Sequence, residues 1–177
     1  MYLSIDVGIK NLAYVVFDQE IVEWKVVELC EGNASTIDMI ELGKHLYKAL
    51  ETIQPVDVIL IENQIGQNAI RMKMLQGMIT FYFISKGLTQ IHYWNAGNKL
   101  KRYIKGKTTY AQRKKLSIQI TRELVSHAFP SQLDYFNGHK KKDDLADCLL
   151  QLMDFLKKKE TLAEKIDLIC NAINLKL

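Results

Sequence analysis

The sequence predicts an α/β fold in which a mixed five-stranded sheet is flanked by helices. Three apolar stretches, at residues 2–7, 12–17 and 21–29, are separated only by short polar turns, which predicts an antiparallel meander of three strands. Two further strands, at residues 56–62 and 91–94, alternate with helical patterns, and this alternation is typical of parallel strands. The order therefore indicates a meander followed by parallel strands.

Two of these strands end in an acidic residue. In the first strand apolar side chains alternate with Tyr2, Ser4 and Asp6, so Asp6 shares a face with Ser4. The fourth strand is a nearly continuous apolar run that closes with Glu62, as expected for a strand covered on both faces. Ligand sites of parallel sheets gather at the carboxyl ends of strands, so both acids are candidates for one site.

Helical spacing begins at Ser35 and ends before Pro55, and Ser35 and Asp38 resemble a capping pair. A second helix is predicted at residues 68–86. It is rich in methionine and apolar around much of its circumference. We therefore expect it to pack against a partner as well as against its own sheet.

The remaining helices follow the last strand. A long helix is predicted at residues 110–128, ending before Pro130. Another begins near Asp143, itself a candidate N-cap, and runs to the basic residues 157–159. Residues 160–177 have an amphipathic pattern. We expect one domain at residues 1–159, with residues 160–177 as its C-terminal helical extension.

Composition places the chain among ordered globular proteins. Its 177 residues suffice for one sizeable core, and 48% are hydrophobic, 25% charged and only 2 are proline. The three cysteines show no Cys-x-x-Cys spacing, and an odd number argues against a disulfide framework. We therefore expect a reducing, intracellular location. No apolar run approaches the length of a membrane span, so no membrane partner is expected.

The net charge of +4 hides a strong asymmetry. Residues 1–63 carry four lysines against eleven acidic residues, which leaves +11 for the remainder of the chain. Residues 97–115 contain eight lysine and arginine residues and no acid. Such a block predicts contact with a polyanion, and the alternative is a solvated loop and helix face.

Asp144 and Asp147 are three residues apart and project from one helix face. Singly, each acid has an ordinary explanation: a turn at Asp6, a salt bridge at Glu62, and the helix dipole for the pair. Together, in this order, they are the parts of a two-metal nuclease site, because Mg²⁺ prefers oxygen ligands. Lys114 or Lys115 could steady a phosphate, and the sequence does not choose between them.

Three motifs carry a resemblance to a known family. They are Asp-Val-Gly-Ile-Lys-Asn-Leu-Ala at residues 6–13, Ile-Glu-Asn-Gln at residues 61–64 with a downstream Arg71, and Lys-Asp-Asp-Leu-Ala-Asp at residues 142–147. In this combination they resemble the RuvC-type Holliday junction resolvases. The Glu-x-Gln version and the basic start of the last motif resemble the poxvirus enzymes and their mitochondrial relatives more than the bacterial ones. The resemblance covers about residues 2–156.

The resemblance implies an RNase H-like fold, a homodimer, and paired nicking of four-way or branched DNA. It implies two Mg²⁺ ions in each active site, replaceable by Mn²⁺, and no small-molecule cofactor. Asp6, Glu62, Asp144 and Asp147 match the family's four metal-binding carboxylates, and Lys114 or Lys115 matches its active-site lysine. A viral relative of this kind would act in the host cytoplasm.

DNA contacts are expected from polar and basic residues in the motifs and in the basic block. These candidates are Lys10, Gln64, Arg71, Lys99, Lys101, Arg102, Lys105, Lys107, Arg113, Lys140, Lys141 and Lys142. We expect the dimer to form through the methionine-rich second helix. Such a dimer would give two sites related by a two-fold axis, which suits a four-way junction.

Two other functions fit parts of the pattern. One is a non-catalytic protein that binds branched DNA and keeps the same fold, although the complete set of four acids speaks against it. The other is a phosphate-binding ATPase-like domain, because Asp-x-Gly followed by a meander also begins the actin and sugar-kinase fold. That fold normally needs two such domains, and 177 residues are too few for both.

Overall fold

A computed structural model describes residues 1–64, 70–101, 103 and 106–158. Its strands are β1 (Tyr2–Asp6), β2 (Asn11–Asp18), β3 (Glu20–Glu28), β4 (Val58–Asn63) and β5 (Ile91–Asn95). They form one sheet in the order β3-β2-β1-β4-β5. The first three strands are antiparallel, whereas β4 runs parallel to both β1 and β5. The predicted mixed sheet is therefore confirmed.

Helices cover both faces of this sheet. They are α1 (Met39–Glu51), α2 (Ile70–Ser85), α3 (Tyr110–Ala128), α4 (Leu133–Gly138) and α5 (Lys142–Lys158). Helix α3 has the predicted bounds, whereas α4 was not predicted because six residues are too few to show a helical period. The predicted start of α2 before residue 70 and the predicted helix at residues 160–177 lie outside the described residues. No helix in the described ranges is long and apolar enough to cross a membrane.

Two helix starts differ from the prediction. The Asp38 side chain accepts hydrogen bonds from two backbone N–H groups in the first turn of α1 and is its N-cap. Ser35 lies before the helix and bonds to the side chain of Asn33, so Ser35 and Asp38 do not form a capping pair. Helix α5 begins at Lys142, which places Asp143 inside its first turn and not at the N-cap.

The sheet separates two hydrophobic cores. Leu3 and Ile5 of β1 face the core beneath α1 and α2, while the other face is covered by α3, α4 and α5. Helix α5 is buried almost throughout residues 145–156, so it is the central helix of its layer. Because β1 and β4 are covered on both faces, their ends are held in fixed positions.

Buried hydrogen bonds connect α5 to the strands beneath it. The Ser4 hydroxyl donates to the carbonyl of Cys148 at 2.8 Å, and the amide of Gln151 donates to the Ser4 oxygen at 3.0 Å. The indole of Trp24 donates to the carbonyl of Leu145 at 3.0 Å. A buried polar group is costly unless it is paired, so these bonds specify one position of α5 along β1.

Candidate active site

Two of the predicted site residues lie side by side at one edge of the sheet. Asp6 is the last residue of β1, and Glu62 is the penultimate residue of β4. The strands are parallel neighbours with Ile5 opposite Ile61, so Asp6 and Glu62 follow at the next position of the same register. The edge therefore carries two neighbouring carboxylates at the carboxyl ends of parallel strands, as expected from the sequence.

Helix α5 brings the other two acids to the same edge. Asp144 and Asp147 lie in its N-terminal part, and both line one cleft together with Asp6 and Glu62. The hydrogen bonds between α5 and β1 set the distance of this helix from the strand ends. The structure thus assembles all four predicted carboxylates from β1, β4 and α5.

Lys99 lies within this group of carboxylates, which the sequence did not predict. Its ammonium donates to Glu62 Oε1 at 3.2 Å and is 2.8 Å from Asp147 Oδ2, and its side chain is only 8% exposed. The sequence had predicted Lys99 as one of the DNA contacts of the basic block. Its burial and its two ion pairs show that its side chain points into the acidic cluster, and a DNA contact by Lys99 stays a prediction.

The pKa values at this cluster follow from burial and crowding. Burial raises the pKa of Asp6 well above its usual value, and the charges of Glu62 and Asp147 add to the effect while Lys99 opposes it. A side-chain hydrogen bond with Glu62 makes a further, smaller contribution to raising the pKa of Asp6. Burial likewise raises the pKa of Asp147, against the opposing charge of Lys99.

The charge of Lys99 is stabilised by the same neighbours. Burial alone lowers the pKa of Lys99, but the charges of Asp147, Asp6 and Glu62 outweigh burial, so the pKa rises above its usual value. The ammonium is therefore fully protonated at neutral pH. A buried charge is costly unless it is paired, and here the Lys99 ammonium and the carboxylates pair with one another.

The two lysines that the sequence left open have different positions. Lys114 lines the cleft, is paired with Asp143, and has its ammonium 5.2 Å from the centre of the Tyr110 ring. Lys115 is exposed and does not belong to the cleft lining among the described residues. Of the two, Lys114 alone is placed to reach a group bound in the cleft.

The donor set suits hard divalent cations. All four acidic side chains offer carboxylate oxygens, the ligands that Mg²⁺ and Mn²⁺ prefer. Within the described ranges no three acidic, histidine or cysteine side chains are arranged as ligands of one metal ion. Two of the carboxylates are instead directed at the Lys99 ammonium. The carboxylates suit the implied cations chemically, and the Lys99 ammonium lies between Glu62 and Asp147.

The cleft has a volume of about 880 Å³, and both acidic and basic side chains line it. Its floor holds the four carboxylates, and its rim carries three other predicted contacts, Lys10, Lys101 and Arg113. Gly8 lies at the turn after β1, where a Cβ atom would come within 2.4 Å of the carbonyl oxygen of Asn11. This close backbone approach requires glycine and keeps the floor beside Asp6 open.

The other predicted DNA contacts are not gathered at the cleft. Lys107, Lys140 and Lys141 are exposed and lie outside its described lining. The Lys142 ammonium donates to the carbonyl of His139 at 2.8 Å. For these four residues a DNA contact stays a prediction, as it does for Arg102 and Lys105, which lie outside the described residues.

Arg71 has a structural role that the sequence did not indicate. Its guanidinium donates to the carbonyls of Ser35 and Ile37, in the segment that precedes α1. It therefore ties the start of α2 to that segment, on the face of the sheet opposite α5. This contact was hidden because Arg71 and its acceptors are more than thirty positions apart in sequence.

Gln64 and Gln76 orient the Glu62 carboxylate through hydrogen bonds. The side-chain amide of Gln64 donates to Glu62 Oε2 at 2.9 Å, and its backbone N–H donates to the side-chain oxygen of Gln76 at 2.9 Å. Gln76 is a buried residue of α2. Glu62 is therefore held by a chain of two hydrogen bonds that begins on a helix and ends at the carboxylate.

The fold is shared with solved resolvase structures of the RNase H-like, RuvC type. A fowlpox virus Holliday junction resolvase superposes with a TM-score of 0.68 at 19% identity, covering 89% of this chain and 98% of that one. The yeast mitochondrial Holliday junction resolvase gives 0.63 at 23% identity, covering 96% and 85%. Thermus thermophilus RuvC gives 0.55 at 13% identity, covering 89% and 96%.

The protein thus has a RuvC-like fold, with the carboxylate cluster at the carboxyl ends of its parallel strands. The chain belongs to the Poxvirus A22 protein family, whose sequence profile matches residues 1–159. It is also 31% identical over 118 residues to an uncharacterized protein of Acanthamoeba polyphaga mimivirus, covering 54% of this chain. This chain spans 28% of the length of that mimivirus relative. The predicted resemblance to poxvirus resolvases is confirmed.

Proposed function

We propose that this protein is a Holliday junction resolvase, a metal-dependent endonuclease that nicks four-way and other branched DNA. The observation that carries the proposal is the convergence of Asp6, Glu62, Asp144 and Asp147 on one cleft with a cationic rim. The family match and the similarity to resolvases of fowlpox virus and yeast support it. A solved fowlpox virus resolvase complex with substrate Holliday junction DNA shares the fold, with a TM-score of 0.64.

Two Mg²⁺ ions, or Mn²⁺ in their place, would be held by these four carboxylates. When bound, such ions supply Lewis acidity for the attacking water and for the leaving oxygen of an in-line phosphodiester displacement. The chain itself fixes the carboxylates: β1 and β4 hold Asp6 and Glu62 in register, and α5 holds Asp144 and Asp147.

The rim of the cleft would hold the DNA backbone. Lys10, Lys101 and Arg113 surround the carboxylate floor, and Lys114 lies beside them at the start of α3. Their charges attract phosphates that the floor alone would repel. The Lys114 ammonium is held by Asp143, which positions it without neutralising the cleft as a whole.

The exposed face of α2 is the surface we assign to a homodimer contact. The apolar side chains Ile70, Met74, Phe81 and Ile84 are exposed. With Gly77 they recur at alternating steps of four and three residues, which places them in one stripe along the helix. Gly77 has open space where a Cβ atom would lie, so a second helix could approach closely.

The direct test compares a labelled four-way junction with a matched linear duplex, each incubated with purified protein in Mg²⁺ or in EDTA. We expect paired, symmetric nicks that are confined to the junction and to Mg²⁺. Binding to the junction without cleavage in either Mg²⁺ or Mn²⁺ would contradict the nuclease and favour a purely DNA-binding role. Cleavage of the linear duplex alone would contradict the junction substrate.

Neutralising the cationic rim is expected to weaken DNA binding by about the same factor for every DNA sequence. For Lys101→Gln and Arg113→Gln we expect lower affinity for the junction, and a plot of log affinity against log salt that flattens by about 1 for each phosphate that the variant no longer neutralises. Binding is measured by fluorescence anisotropy at several salt concentrations in EDTA. Lys48→Gln, an exposed change on α1 across the sheet, is the matched control. An unchanged slope in both rim variants would place the DNA elsewhere.

Removing the acceptor behind Gln64 is expected to slow cleavage more than it weakens binding. Gln76→Leu leaves the backbone N–H of Gln64 without its partner, so Gln64 and Glu62 lose their fixed orientation. Groups that orient metal ligands typically contribute about 10-fold to 100-fold, and we expect a loss of nicking in this range with a higher Mg²⁺ requirement. Gln119→Leu on the exposed side of α3 is the control. A variant with normal rate and normal Mg²⁺ dependence would exclude this support role.

A further inference from the structure

Lys99 lies inside the acidic cluster although it comes from a basic segment of the chain. Its ammonium is 2.8 Å from Asp147 and 3.2 Å from Glu62. We infer that this ammonium is a built-in counter-ion, which holds the carboxylates together when divalent cations are absent and leaves the cluster when they bind. The inference rests on the proposed metal-dependent function and adds a step to it that belongs to this chain's own residues.

The first argument is the charge of the cluster. Asp6, Glu62 and Asp147 come from three different elements and would repel one another if all were ionised. The Lys99 side chain is almost wholly buried among them and contacts a strand residue and a helix residue at once. It therefore links β4 to α5 through a cation, where a metal ion would otherwise be needed to balance the charge.

The second argument is that ammonium and metal compete for the same atoms. Mg²⁺ binds oxygen ligands at about 2.0–2.1 Å and demands near-octahedral geometry. The oxygen atoms that face Lys99 cannot also converge on such an ion while the ammonium lies between them. Two cations a few ångströms apart in a buried site repel strongly, so the arrival of one favours the departure of the other.

The third argument is that Lys99 can leave without rebuilding the fold. The next residue, Leu100, is buried in the core and anchors the main chain at this point. A lysine ammonium moves on a flexible four-carbon stem, and the side chain borders a cleft of about 880 Å³. Rotation of the stem into the cleft would free both carboxylates while the backbone stays in place.

The test measures the reactivity of each lysine in the unmodified protein without DNA. The protein is treated briefly with a small amine-acylating reagent in EDTA or in saturating Mg²⁺, and acylation is quantified by peptide mass spectrometry. We expect Lys99 to react slowly in EDTA and several-fold faster in Mg²⁺. Lys101, its exposed neighbour, is the internal control and is expected to change much less.

This readout is independent of cleavage. If calorimetry shows that Mg²⁺ binds while Lys99 stays as protected as in EDTA, the counter-ion inference is wrong although the nuclease proposal stands. If the protein binds neither Mg²⁺ nor Mn²⁺, both are overturned. Failure of the unmodified protein to cut a junction, with Lys99 nonetheless released by Mg²⁺, would overturn the nuclease proposal alone.

A variant gives a second, thermodynamic test. Lys99→Met keeps the apolar stem and removes the competing charge, so Mn²⁺ should bind more tightly in calorimetry. If the ammonium-free arrangement is populated below a tenth in the unmodified protein, the gain is about 10-fold or more. The variant should also have a lower Tm in EDTA and a larger rise of Tm with Mn²⁺. Lys48→Met is the control, and equal or weaker Mn²⁺ binding by Lys99→Met would refute the competition.

Discussion

Asp147→Asn is expected to abolish junction nicking while leaving junction binding intact. Asp147 is the acid that contacts Lys99 at 2.8 Å and shares the cleft floor with Asp6 and Glu62. Asparagine has the same shape but lacks the charge that a divalent cation needs from its ligands. Since even residues that only orient metal ligands are worth about 10-fold to 100-fold, we expect a loss of about 100-fold or more for a ligand itself.

The fold should survive this change. The amide oxygen of asparagine can still accept a hydrogen bond from Lys99, and the buried bonds between Ser4 of β1 and Cys148 and Gln151 of α5 remain. Nicking is measured with excess enzyme over labelled junction in Mg²⁺, and binding by gel shift in EDTA. Asp134→Asn, an exposed acid of α4, is the matched control and should cut normally. A normal nicking rate for Asp147→Asn would remove this residue from the metal site.

Phe81→Glu is expected to convert the proposed dimer to a monomer. The Phe81 side chain is 71% exposed near the middle of the apolar stripe on α2. A glutamate pair brought together by two-fold symmetry would combine desolvation with like-charge repulsion. Light scattering should report half the mass of the unmodified protein. The four carboxylates come from β1, β4 and α5, so each monomer should keep its metal site.

The consequence for DNA is a loss of pairing between nicks. A monomer carries one site, so on a supercoiled cruciform plasmid it should give singly nicked circles where the dimer gives linear product. Val22→Glu is the control for adding an acid to an exposed apolar position, because Val22 lies on the edge strand β3 and is also exposed. If Phe81→Glu stays dimeric by light scattering, the stripe on α2 is not the dimer contact.

The sheet and the four acids followed from local patterns in the sequence. Alternation in β1 placed Ser4 and Asp6 on one face, and the continuous apolar run before Glu62 predicted a strand covered on both sides. The end of α3 was predicted because Pro130 follows it, and the structure adds a capping box of Thr109 and Gln112 at its start. Hydrophobic periodicity and the residues that begin or end an element are properties of neighbouring positions, so the sequence can reveal them.

The ion pairs of Lys99 were not predicted because they depend on residues far away in the chain. It is one of eight basic residues in its segment, and nothing local distinguishes it. The available signal was topological: β5 is the parallel neighbour of β4, with Asn95 opposite Asn63, so the residues that follow β5 emerge beside Glu62. The hydrogen bonds of Arg71 and Gln76 were not predicted for the same reason, since their partners lie far away in the chain.

The anchoring of α5 has a consequence for how substrates are chosen. Because buried bonds tie this helix to β1, we expect the acid pair to keep its position when the proposed DNA substrate binds, so that the nucleic acid changes shape. Continuous duplex is stiff over about 150 base pairs, so bending it sharply costs energy. At a branch point the strands are already free to splay. In the proposed function, a rigid acidic floor would therefore favour flexible crossings without contacts to individual bases.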